Sequence, residues 1–150
     1  MASFSGHSNG SGFLTAWSLD GKFRTQENEE VVAFIERKNP SAHDEVAGEL
    51  INSAKGLPDV QWYCPDKWRY AYVVLHTRSN RIFGIAFGMS GLAFLLPAEM
   101  IPEAVAVGGE IYPAIGDQWI LWQDNKPRNM TRWCKLAHDY AVGSKAPGVL

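Results

Sequence analysis

This sequence has too few cysteines for a disulfide framework. Cys64 and Cys134 stand far apart in 150 residues, and the N-terminus lacks a basic segment followed by an apolar run, so free thiols in a reducing cytoplasm are the expectation. Long hydrophobic runs are missing too. The longest apolar stretch without a charge, Ile82 to Ala98, is interrupted by Gly84, Gly88 and Gly91 and falls short of the ~20 apolar residues a membrane-spanning helix needs. Two strands and a turn account for it better, and no membrane partner is expected. Nor does charge of one sign dominate. Fourteen Lys and Arg face sixteen Asp and Glu, a formal net charge of −2, with −4 on residues 1–61 and +2 on the rest. That balance disfavours a nucleic-acid binder whose affinity comes from many phosphate contacts. Phosphate-cradling loops, dinucleotide fingerprints and nucleophile elbows are absent from the sequence, so it points to no cofactor and names no catalytic residue.

Apolar material is abundant. Hydrophobic residues make up 46% of the chain, including six Trp, seven Phe and five Tyr, far more than a disordered chain carries and enough for one sizeable core. Residues 1–12 are nearly all small or polar and read as a mobile tail, and residues 144–150 as a C-terminal tail. The span between them, 13–143, reads as a single domain. Within it, Phe13 to Phe23 carries an Asp20-Gly21 turn signal and suggests a small hairpin or a covering segment. Asn28 is a candidate N-cap for a helix with an apolar stripe of Val31, Val32, Phe34 and Ile35, which Asn39-Pro40 ends. Ser41 and Asp44 start a second helix over Ala42 to Lys55, with Val46, Leu50, Ile51 and Ala54 at helical spacing.

Three short runs with tight turns between them follow: Tyr70 to Thr77, Ile82 to Phe87, and Leu92 to Leu96. They read as an antiparallel meander, and the second and third are apolar on consecutive residues, so both faces of that sheet should be covered. Beyond Pro97, a helical stretch to Val107 is broken by Pro102 and stopped by Gly108-Gly109. A strand over Gln118 to Gln123 precedes a last helix with Trp133, Leu136, Ala137, Tyr140 and Ala141 on one face, ended by Gly143. The fold class is therefore α+β: an antiparallel sheet, three-stranded meander plus a further strand, packed with N-terminal and C-terminal helices.

Arg81 to Gly88 (RIFGIAFG), Gly91 to Pro97 (GLAFLLP) with Ala98-Glu99, and Thr131 to Val142 (TRWCKLAHDYAV) together resemble the small domains of the TfoX N-terminal and YjbR (MmcQ) type. The likeness covers roughly residues 68–143. It implies a compact α+β domain, usually not an enzyme, with members described as competence regulators or DNA-binding-like proteins; it brings no catalytic motif. The two helices before the sheet depart from the simplest form of that pattern.

Exposed aromatics with neighbouring arginines are what a binding surface uses, and on that ground Trp68, Arg69, Trp119, Trp122, Arg128 and Arg132 are the candidate binding residues. Core packing is the competing reading for each Trp, and the opposite strand parity of Trp119 and Trp122 puts at least one of them inside. Cys134 and His138, four apart on the last helix, are spaced to share one metal, with Cys64 and His76 to complete a Cys2His2 set, but the spacing of that second pair matches no compact zinc knuckle; a buried Cys and a partly exposed His on a helix flank explain these residues as well. The leading expectation is a non-enzymatic binding or regulatory domain with a protein or small-ligand partner. The alternatives are a small enzyme using Cys134 or Cys64 with a His, and a weak nucleic-acid-binding regulator.

Overall fold

The structure is a computed structural model and describes residues 25–63, 71–123 and 129–148. The readings of residues 1–12, of Phe13 to Phe23, and of Cys64, Trp68, Arg69 and Arg128 lie outside them. A 3-10 turn (Gln26–Asn28) leads into α1 (Glu29–Lys38), followed by α2 (Asp44–Ala54), β1 (Val60–Tyr63), β2 (Tyr72–His76), β3 (Arg81–Phe87) and β4 (Gly91–Leu95). A second 3-10 turn (Ala98–Met100) runs into α3 (Ile101–Ala106), and β5 (Glu110–Ile111), β6 (Trp119–Trp122) and α4 (Met130–Gly148) complete the order. The six strands form one sheet in the order β1-β2-β3-β4-β6-β5, with every neighbouring pair antiparallel. The α+β architecture and the meander are as the sequence reads.

Both faces of the sheet are covered, which is why β3 and β4 are apolar at successive positions. On one face Val31, Val32, Phe34 and Ile35 of α1 pack with Val73, Leu75, Ile85, Ala93, Leu95, Trp119 and Leu121. On the other, α2 and α4 bring Val46, Leu50, Trp133, Cys134, Ala137 and Ala141 against Val74, Phe83, Ala86, Leu92, Phe94, Ile120 and Trp122. A bulge lets β3 serve both: Val74 pairs with Gly84 but Leu75 pairs with Ile82, leaving Phe83 as the extra residue. Phe83 and Gly84 then lie toward the same face, and Gly84 makes room there. A Cβ at that position would stand 2.9 Å from Val74 Cγ2 and 3.0 Å from the Phe94 ring.

Several boundaries differ from the sequence reading, each for a physical reason. Asn28 stands at the N-cap position of α1 but does not cap it with its side chain. The side chain is fully buried and instead donates from Nδ2 to the Asn80 carbonyl and accepts at Oδ1 from the Ile82 N–H, each at 2.8 Å. The second helix starts at Asp44, not Ala42, because Ser41 and Ala42 form a parallel bridge to Gly88; His43 is its cap, with Nδ1 accepting from the Glu45 N–H at 3.1 Å. Pro102 begins α3 instead of breaking it, standing in the first turn, where a helix needs no N–H donor. Gly143 does not end α4, which continues through Pro147 to Gly148; an interior glycine weakens a helix by only ~1 kcal/mol and need not stop it. Strands β1 and β5 are additional to the four runs read from sequence. No described helix is long and apolar enough to cross a membrane.

Candidate functional site

The described candidate aromatics, Trp119 and Trp122, are core. Trp119 is 2% exposed and Trp122 5%, and their opposite parity sends them to opposite faces of the sheet. They form no joint surface. Trp122 stacks near Trp133, ring centroids 5.4 Å apart, and its indole N–H points to the Val107 carbonyl at 3.4 Å. Arg132 lies over the Trp133 ring at 4.6 Å and pairs with Glu103 at 2.7 Å, both side chains about half exposed. Arg132 thus clips α3 to α4 with a surface ion pair worth roughly 0–1 kcal/mol.

The chemistry gathers at the other end of α4. Antiparallel pairing brings the end of β2, the start of β3, the end of β4 and the start of β6 to one end of the sheet, and α4 crosses it with the turn Leu136–Tyr140. That turn has a different neighbourhood on each flank. On one, Leu136, Asp139 and Tyr140 join Pro97, Ala98, Glu99, Met100 and Gln118 around an open groove of about 610 Å³. Gln118 Nε2 donates both to the Leu96 carbonyl and to the Tyr140 hydroxyl oxygen, at 3.0 Å each, so the groove has a fixed polar point beside its apolar walls. The Arg81 guanidinium lies 5.7 Å from the Tyr140 ring centroid.

On the opposite flank, the His76 and His138 rings stack with centroids 4.5 Å apart and planes tilted by 31°, and Phe83, set by the bulge, meets His138 edge-on at 5.6 Å. Both histidines are buried; the sequence places His138 on a helix flank, partly exposed, and the covering Phe83 and His76 correct that. His138 Nε2 lies 2.8 Å from the Pro58 carbonyl and Nδ1 3.2 Å from Asp139 Oδ1. His76 Nδ1 accepts from the Arg78 N–H at 3.2 Å. Burial, and next the neighbouring His138, hold the His76 imidazole below its ordinary pKa of 6.5, while Asp59 and Asp139 pull the other way. For Asp139 burial alone would raise the pKa, but hydrogen bonds from Lys135 and His138 outweigh it and the carboxyl sits below its usual range.

Of the metal set read from sequence, Cys64 lies outside the described residues, and the two histidines are not arranged as ligands of one ion. The rings are stacked instead of converging, three of their four nitrogens face protein partners, and among the described residues no three His, Cys, Asp or Glu side chains cluster to hold an ion. Cys134 is not a poised nucleophile either. It is fully buried, and desolvation pushes its thiol up to about 12, which keeps it protonated and inert at neutral pH. Labelling of Cys134 by iodoacetamide at neutral pH, read by peptide mass spectrometry, should be slow and should accelerate only in denaturant; fast native labelling would reinstate the enzyme reading.

The sequence reading missed Met100, Gln118, Leu136, Asp139 and Tyr140 as a set. Gln118 gives the clearest signal in retrospect, a lone amide leading into the apolar strand Trp119–Trp122. Comparison with protein-family models, with curated proteins and with solved structures gives no match to this chain.

Proposed function

We propose that this protein is a non-enzymatic binding domain that holds a small organic cation with an apolar body in the groove between the Pro97–Met100 segment and α4. The observation that carries this reading is the composition of that one groove. Pro97, Met100 and Leu136 supply apolar surface, the Gln118–Tyr140 hydrogen bond supplies a fixed dipole, and Glu99 and Asp139 supply carboxylates, with no basic side chain among the lining residues. Lys135 engages one oxygen of Asp139 at 2.9 Å, so Glu99 is the carboxylate left to meet a ligand. A smaller acidic groove between α2 and the start of α4, of about 400 Å³, is lined by Asp44, Glu45, Glu49 and Met130 but offers less apolar surface.

The buried, protonated thiol of Cys134 and the protein partners at three of the four imidazole nitrogens favour binding over catalysis, and the TfoX and YjbR resemblance implies the same class. The test is an NMR titration with phenethylammonium as probe. Amide shifts should concentrate at Met100, Gln118, Leu136, Asp139 and Tyr140, and Glu99→Gln should weaken binding by about two- to fivefold, the worth of one exposed ion pair. Equal shifts with benzoate, or shifts centred on the α2 groove, would overturn the assignment.

A further inference from the structure

The stacked histidines and the groove lie on opposite flanks of the same α4 segment, and Asp139 touches both: it lines the groove and meets His138. We propose that the His76–His138 stack is an acid-operated latch: protonating His76 breaks the stack, frees the Leu136–Tyr140 turn of α4 from the β1–β2 end of the sheet, and moves the wall of the groove, so that ligand is held at neutral pH and released in acid. The ligand half of this inference rests on the groove reading above; the latch itself does not.

The supporting geometry lies at His76 Nδ1, while His138 sets what the stack ties together. Both ring nitrogens of His138 face acceptors, the Pro58 carbonyl and Asp139 Oδ1, so that ring is tied to the segment before β1 and to its own helix. His76 Nδ1 is already an acceptor for the Arg78 N–H. A proton taken from solvent onto that nitrogen cancels the hydrogen bond, leaves the Arg78 N–H unpaired, and places a positive charge in a ring that is 2% exposed and stacked on a second imidazole. Other charged groups around the pair come from every neighbouring element. Asp59 before β1 and Asp139 on α4 favour the charged ring, Arg78 in the β2–β3 turn opposes it, Arg81 on β3 is the strand partner of His76, and Lys135 on α4 occupies Asp139.

The sign follows. A histidine whose folded pKa is lowered stabilises the fold fully above its ordinary value of 6.5 and loses that contribution as pH falls from there toward the folded value. The latch is thus closed at neutral pH and strained on mild acidification, the range in which histidine alone among unperturbed side chains changes charge.

Amide hydrogen exchange of the full chain at about pH 7.5 and about pH 5, corrected for intrinsic rates, tests this. Opening of Leu136–Tyr140 should increase severalfold in acid relative to the core of β3, and His76→Phe, which keeps a ring in the stack without a titrating nitrogen, should abolish the difference. Equal exchange at both pH values, or an acid response retained in the Phe variant, overturns the latch. Should that variant fail to fold, the ring proton resonances of wild-type His76 decide: a midpoint below 6.5 supports the latch and one at or above it sinks it. Phenethylammonium titrated at both pH values separates the two readings. Binding at neutral pH that is lost in acid supports both; binding that is unchanged while α4 loosens overturns the control of the groove; no binding at neutral pH removes the groove reading and leaves exchange to judge the latch.

Discussion

Trp119→Ala should destabilise the fold by about 3–5 kcal/mol, the cost of truncating a fully buried tryptophan. That is a large share of the 5–15 kcal/mol that holds a domain of this kind together. Trp119 is 2% exposed, sits opposite Leu95 at the start of β6, and packs in the layer under α1 with Val31, Phe34 and Ile115. No apolar side chain nearby can refill the space it leaves, because the same layer is already shared by five strands and a helix. Urea unfolding followed by circular dichroism measures the change. A loss of less than about 1 kcal/mol, in the range of surface substitutions, would return Trp119 to the list of surface binding residues. Arg132→Ala is the control from the same list: its half-exposed ion pair with Glu103 should cost no more than about 1 kcal/mol.

Asn28→Ala should be the most damaging polar substitution, at about 2–4 kcal/mol, with Tm lowered by roughly 6–15 °C. The side chain is fully buried and satisfies two backbone groups at once, the Asn80 carbonyl and the Ile82 N–H. Asn80 holds a left-handed backbone with φ of 58° at the tip of the β2–β3 turn, so Asn28 braces the turn that brings His76 level with Arg81. Alanine leaves both groups without that partner where water cannot replace it. Differential scanning calorimetry reads the outcome, and Asn28→Asp should cost at least as much as alanine at neutral pH, since it buries a carboxylate with one oxygen against the Asn80 carbonyl. A drop in Tm below about 2 °C would show that the turn stands without this brace.

The central strands could be read from sequence because their chemistry is local. Ile82 to Phe87 and Leu92 to Leu96 are apolar at both parities, which only a sheet covered twice can accommodate. Strand β1 has no such signature: Val60, Gln61 and Trp62 are half-buried at an edge, and their pairing with β2 is set from across the sheet. Two residues, Glu110 and Ile111, are too short a segment to display any period. Polar residues mark where the helices start but not what they touch: His43, not Ser41, caps α2, and Asn28 finds its partners on a turn distant in sequence. The candidate site was largely illegible for the same reason. His76 and His138 were each noticed, yet only antiparallel register and the Phe83 bulge stack one ring on the other. Gln118, Leu136, Asp139 and Tyr140 come from separate segments that share nothing until α4 crosses the sheet. Trp119 and Trp122 are candidates only if one face of the sheet is wet, whereas a sheet buried on both faces has places for large side chains on each.

The brace at Asn28 also bears on how fast this chain reaches its fold. Strands β2, β3 and β4 follow one another through short turns, so their pairing closes small loops and can form early. Docking of α1 must wait for the β2–β3 turn to exist, because its anchor spans 52 residues to Asn80 and 54 to Ile82. Assembly therefore runs from the middle of the sequence outward, with the meander as the template on which the N-terminal helix is the later arrival.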